Sequence, residues 1–289
     1  MSDRMKLSSH LLALALLAGC GASQTAAQTA PVVGANAPAV AFGSIDAALV
    51  GGHRSAANRA RDAHRHPRET LAFFGVQPGQ TVVELSPGGG WYTEILAPLF
   101  HDQGQLVAAI PSTTGTRARY AANFQTFLTT RPDLYGNVRT VTLEAPAQVT
   151  LGPAQSADVV LTFRNLHGWI NDGVAAQVFT AAFQVLKPGG VFGLVEHRAN
   201  AGTDPATTAR QGYVSEAATI ALAEAAGFTL EERSEINANP RDTKDYADGV
   251  WALPPTLRGG DRDRERFVAI GESDRMTLRF RRPAAPAAR

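Results

Sequence analysis

The sequence predicts a doubly wound α/β domain, an open sheet of seven strand runs with helices on both faces. Two observations carry this reading. Short apolar runs of strand length alternate with amphipathic segments of helical length, the pattern of parallel strands joined by crossover helices. A glycine cluster, Gly88-Gly89-Gly90, follows the first apolar run and opens the next helical segment. In such sheets ligands lie beyond the carboxyl ends of the strands, and the cluster falls at that place.

The elements follow in order. SAANRARDAHRHPRETLAFFGV reads as a helical segment, and the apolar TVVEL after it as the first strand. WYTEILAPLF is helical, QLVAAI a strand, TRARYAANFQTFLTT helical, and VRTVTL and DVVLTF are two further strands. In VAAQVFTAAFQVL, Val174, Val178, Phe179 and Phe183 share one helical face. KPGG is expected to stop that helix, and VFGLVE to follow as a buried strand. SEAATIALAEAAGF reads as a helix with Ser215 as N-cap and Gly227 as terminator. FTLEERSEI and MTLRFRR close the sheet, separated by a long loop region.

The flanks have a different composition. Residues 1–20, MSDRMKLSSHLLALALLAGC, combine a basic start (Arg4, Lys6), an apolar run from Leu11 to Leu17 and a small-residue exit. That is the pattern of an export signal, too short to span a bilayer permanently. Leu17-Ala18-Gly19-Cys20 resembles the lipobox of bacterial lipoproteins, which implies lipidation at Cys20 and anchoring in the cell envelope. With Gly21 rather than Asp next, the outer membrane facing the periplasm is the expected destination. Residues 21–43 read as a flexible tether, 44–283 as the folded domain and 284–289 as a frayed tail.

Bulk composition narrows the function. A net charge of +1 over 289 residues gives no basic face for nucleic acid. One cysteine excludes an intrachain disulfide framework and a cysteine-based zinc site. His53, His64 and His66 with Asp62 have no compact ligand spacing, so no metal is expected. Nothing in the sequence sets the oligomeric state.

Glycines 88–90 let the backbone turn sharply and let a ligand approach the main chain. A phosphate-binding loop needs Lys-Ser/Thr after the last glycine, where this chain has Trp91-Tyr92. A dinucleotide fingerprint needs another spacing. Glu84-Leu85-Ser86-Pro87-Gly88-Gly89-Gly90 does resemble the first motif of class I S-adenosylmethionine-dependent methyltransferases. LEAPAQVTL, SADVVLTFRNLHGW and LKPGGVFGLVEHRA extend the resemblance in order, and RDAHRHPRETLAFFGVQPG and VWALPP resemble a bacterial group of predicted methyltransferases within that superfamily.

The resemblance implies a mostly parallel, Rossmann-like seven-stranded sheet with an antiparallel last strand. It also implies S-adenosylmethionine as cofactor and methyl transfer to a small-molecule acceptor. Carried over residue by residue, Glu84, Ser86, Pro87, Gly88, Gly90, Tyr92, Ser112, Glu144, Ala145, Arg164 and Asn165 fall at cofactor-binding positions. Trp91 reads as core. Two departures stand out: Ser86 replaces the first motif glycine, which requires a negative φ there. The second strand ends QLVAAIPS, without the acid that holds the ribose, leaving Ser112 or Thr113 as weaker substitutes.

His167 leaves the fourth strand and His197 the fifth, so both are candidate general bases for an acceptor that must lose a proton. Arg164 suits an acidic substrate, the cofactor carboxylate or an ion pair with Glu196. Asp62, Arg65, His66 and Trp251 are candidates for the substrate side. An alternative function remains open at this point: a lipid-anchored envelope protein that uses the crevice for another ligand.

Overall fold

The computed structural model describes residues 42–284. Cys20, the signal, residues 21–41 of the tether and the last five residues lie outside them. The sheet has seven strands: β1 (Thr81–Leu85), β2 (Gln105–Ile110), β3 (Arg139–Thr142), β4 (Ala157–Phe163), β5 (Leu186–His197), β6 (Thr229–Ser234) and β7 (Arg275–Arg281). Their spatial order is β3-β2-β1-β4-β5-β7-β6. Strands β1 to β5 pair in parallel, and β7 is antiparallel to both β5 and β6. Strand order reverses between β1 and β4, which opens a crevice at their carboxyl ends.

Each face of the sheet is covered. One side packs β1, β4 and β5 residues such as Val83, Val160 and Phe192 against Val178, Phe179 and Ala182 of the helix Ala175–Val185. On the other side Val82, Leu161 and Val195 meet Ile95 and Leu96 of the helix Thr93–Leu99 and Leu71 and Phe74 near the helix Pro67–Phe73. Val174, Val178 and Phe179 are buried and Phe183 packs against them, so the shared helical face forms as its spacing predicts. A fully buried Ile or Leu of this kind contributes about 2 kcal/mol.

Ser215 caps the helix Glu216–Ala225, accepting from the Ala218 amide, and Gly227 beyond the far end has φ +102. Among the described residues no helix is long and apolar enough to cross a membrane.

Two expectations need correction. The segment 55–76 is not one helix but three short ones, Ala56–Arg59, Asp62–Arg65 and Pro67–Phe73. The second break falls at His66, φ +40, because the proline after it disfavours a helical residue before its ring. Nor does KPGG separate a helix from a strand, since β5 runs through it. Gly189 N–H donates to the Arg282 carbonyl and Arg282 N–H to that of Gly190, while the β4–β5 register shifts between Ala157 and Val159 to absorb the extra residues.

The long β6–β7 connection is an ordered excursion. It contains a short turn of helix at Gly249–Ala252 and the helix Arg264–Ile270. Asp242 in it accepts from the Tyr213 hydroxyl at 3.2 Å, and Asp274 at its end from Arg198. These bonds fold the excursion back across the carboxyl ends of β4 and β5.

Candidate functional site

Residues 86–88, leaving β1, line two adjoining cavities, and Gly89 lines the first alone. The first, about 400 Å³, lies under the β6–β7 excursion, with Arg61, Arg65, Trp91, His197, Trp251 and Arg275 in its wall. The second, about 350 Å³, is more apolar, with Ile110, Pro111, Tyr120, Phe124 and Trp169. Ser86, Pro87, Gly88, Arg164, Asn165 and His167 line both. A third hollow beside Ser86 holds Glu144 and Ala145.

The loop conformation explains its residues. Gly88 has φ +61, and a β-carbon there would meet nothing within 4 Å, so it would enter the open crevice. Gly90 has φ +82 for a different reason: a β-carbon would strike the Phe127 ring at 2.6 Å. Gly90 therefore permits helix packing and lines neither cavity. Ser86 has φ +50, not the negative angle expected, so a non-glycine residue is held in the left-handed region at the site. Arg164, at the exit of β4, is held likewise at φ +64.

Other candidates move. Glu84 is buried and accepts from the Thr93 hydroxyl at 2.7 Å. Burial pushes its carboxyl up to about 7, against the lowering effect of that bond. It ties β1 to the following helix and does not line the crevice. Tyr92 stacks on Phe163 at 3.5 Å inside the core, while Trp91, buried in the same core cluster as expected, also forms cavity wall. Ser112 lines neither cavity; its amide donates to Glu144 Oε2 at 3.1 Å. Glu144 thus places a carboxylate beside the end of β2. Asn165 donates to the Leu85 carbonyl and to Thr162, pinning the β4 exit to β1.

Asp62 is not in the wall of either cavity and forms a two-pronged pair with Arg54 at 2.7 and 2.8 Å. His66 caps the break before Pro67 and is not in the cavity wall. Arg65 and Trp251 are. Trp251 lies edge-on to His167, ring centroids 6.0 Å apart.

His167 and His197 do meet, 5.7 Å between ring centroids. His167, not Arg164, is the partner of Glu196: Nδ1 of His167 lies 3.1 Å from Glu196 Oε1. Burial lowers the His167 pKa, but the Glu196 charge and hydrogen bond outweigh it and the net direction is upward. His197 Nδ1 lies 2.5 Å from Ser273 Oγ. Burial, with His167 and nearby arginines adding, holds its pKa well below the usual value. In an imidazole titration followed by nuclear magnetic resonance, His167 is expected to keep its proton above pH 6.5 and His197 to stay neutral below it. The reverse order would mean that Glu196 does not govern the pair.

His167, Glu196 and His197 also bring possible ligand atoms within 4.8 Å of one another. Both Glu196 oxygens are already engaged, by the His167 ring and amide and the His197 amide. The arrangement therefore works as a hydrogen-bonded dyad with a second, neutral imidazole beside it.

Sequence reasoning missed Arg61, Arg275, Glu272 and Ser273, which complete the first cavity. Glu272 receives Arg61 Nε at 2.6 Å, Arg65 Nε at 3.2 Å and Arg275. Burial raises its pKa, but these three guanidinium groups overcome that and bring it down to about 2.

Neither a family model nor a curated relative matches the sequence. Solved structures match the fold. A SAM-dependent methyltransferase from Aquifex aeolicus aligns over 77% of this chain and 93% of its own, with 13% identity and TM-score 0.52. The (4+2)-cyclase SpnF aligns over 82% and 86%, with 17% identity and TM-score 0.56. An arsenic(III) S-adenosylmethionine methyltransferase from Chlamydomonas reinhardtii aligns over 88% and 76%, with 16% identity and TM-score 0.50. The fold is the Rossmann-like fold of SAM-dependent methyltransferases.

Proposed function

We propose that the protein is an S-adenosylmethionine-dependent methyltransferase acting on a small molecule, and that it is anchored in the cell envelope through Cys20. The observation that carries the enzymatic reading is Gly88, left-handed and open to the crevice where the strand order reverses. The residues around it fit the cofactor. Ile110, Pro111, Tyr120, Phe124 and Trp169 offer a largely apolar cavity that suits a purine, and Glu144, beside the residues that leave β2, offers an acceptor for ribose hydroxyls. Arg164 and Asn165, shared by both cavities, suit the amino-acid end.

When bound, the sulfonium supplies an electrophilic methyl group. The chain's own residues orient the acceptor and exclude water, an alignment that can supply roughly 7–11 kcal/mol. With Nδ1–H directed to Glu196, His167 keeps Nε2 free to take a proton from a hydroxyl acceptor. His167→Ala is expected to lower turnover of such an acceptor by about 100-fold and to remove the acid limb of the pH profile. Loss of stability with turnover unchanged would reduce His167 to a structural role.

Calorimetric titration with S-adenosylhomocysteine tests the reading directly. Binding in the micromolar range is expected, and no heat and no thermal shift at millimolar ligand would overturn it. Because SpnF bears a cyclase name on the same fold, binding alone leaves the reaction to be fixed by label transfer from methyl-labelled cofactor.

The anchor rests on the sequence of residues 17–20. Two or more acyl chains hold a protein at a membrane where one does not. Cys20→Ser is expected to release the protein to the soluble fraction and abolish lipid labelling. Unchanged fractionation and labelling would refute the anchor.

A further inference from the structure

Four guanidinium groups converge on the first cavity with one carboxylate among them. Arg61, Arg65 and Arg275 all pair with Glu272, and the carboxylate that acts on Arg164 is again Glu272. Arg65 is only 2% exposed, and its Nη1 and Nη2 have no hydrogen-bond partner; nor has Nη2 of Arg61. Arg65 lies over the Trp91 ring at 4.6 Å, which recovers part of its lost hydration. Arg275 is equally buried, bonded to Ser273 and the His64 carbonyl.

A structural ion pair accounts for one of these arginines. It does not account for four, because burying a cation without a partner is strongly unfavourable. Mutual repulsion adds to the cost: burial, then Arg164, brings the Arg65 pKa down to about 8. The planar forks of such groups match carboxylate and phosphate oxygens.

From this geometry we infer that the first cavity binds the anionic group of the methyl acceptor, a carboxylate or phosphate, between Arg61, Arg65 and Arg275. The inference rests on the methyltransferase reading for the word acceptor, but the anion site itself does not. The cofactor's own carboxylate is a rival source of the charge. Arg164 lines both cavities and is placed to take it, whereas Arg61, Arg65 and Arg275 line only the first. An anion held by those three lies in the cavity walled by His167, His197 and Trp251.

The experiment is thermal unfolding of the full chain with inorganic phosphate or citrate against sodium chloride at matched ionic strength. A ligand that binds only the folded chain raises its midpoint. Phosphate or citrate should raise the midpoint above the chloride control. Arg65→Met should raise the midpoint of the free chain by removing an uncompensated cation, and should weaken anion binding about 10-fold or more. Arg61→Met, at the cavity rim, should weaken it too and guards against a folding defect in the first variant. No anion-specific shift in the unaltered chain would overturn the proposal, as would a shift in both variants as large as that of the unaltered chain.

Titrations with S-adenosylhomocysteine and with methylthioadenosine, which lacks the carboxylate, separate the two sources. Equal affinity of the unaltered chain and Arg65→Met for both supports an acceptor site. Selective loss for S-adenosylhomocysteine assigns Arg65 to the cofactor and overturns it. An anion shift without any binding of S-adenosylhomocysteine keeps the anion site and sinks the methyltransferase reading alone.

Discussion

Gly88→Val is expected to abolish S-adenosylhomocysteine binding, a loss of about 100-fold or more, equivalent to ~3 kcal/mol. The isopropyl group would stand in open cavity space, with nothing within 4 Å of its first carbon, where the ligand must approach the main chain. The substitution also forces a β-branched residue to φ +61, which costs stability in its own right. Gly79→Val isolates that cost: Gly79 has φ +88, also meets nothing within 4 Å, and is not in the crevice wall. Both variants should unfold earlier by similar amounts, while only Gly88→Val loses the ligand. Equal retention of binding in the two would show that the loop does not touch the cofactor.

Ser86→Gly should act in the opposite direction. Releasing an L-residue from φ +50 is worth about 1 kcal/mol, and it changes no side chain bonded within the described loop. Binding should be retained and the unfolding midpoint raised. The strain at Ser86 and Arg164 lies at the two strand ends that flank the crevice, as expected where a site rather than the core fixes the backbone.

The sheet was legible because its information is local. Runs such as TVVEL and QLVAAI state their length and burial within a few residues, and the glycine cluster marks the crevice by adjacency. What the sequence concealed depends on rotation or on distance. Whether Trp91 or Tyr92, both buried in one cluster, also reaches the cavity is decided by where the helix Thr93–Leu99 begins. Gly88 and Gly90 look alike in the sequence, yet one clears a ligand path and the other clears Phe127, which lies on a different helix. Glu144 brings a carboxylate to the end of β2 from a loop 32 residues further on. Arg61 and Arg65 meet Glu272 across more than 200 residues, and no spacing rule relates residues so far apart.

That last cluster gives the largest effect expected on stability. Glu272→Gln is expected to destabilise the folded chain by about 3–5 kcal/mol, since it removes the one carboxylate shared by buried guanidinium groups. The pH dependence follows from the same balance. The folded-state pKa of Glu272, about 2, lies below its ordinary value of 4.5, so the unfolded chain binds the proton more readily. Its contribution is therefore complete above about pH 4.5 and is lost as pH falls toward 2, on the order of 3 kcal/mol in all.

Urea unfolding of the two proteins between pH 3 and 7 should show curves that converge on the acid side, because protonation does to the unaltered chain what Gln does at every pH. The comparison with Arg65→Met is decisive for the electrostatics. Removing the anion destabilises and removing one cation stabilises, a difference of sign that simple loss of packing cannot produce. If both variants destabilise equally and independently of pH, the cluster is held by packing and its excess of positive charge has no energetic weight.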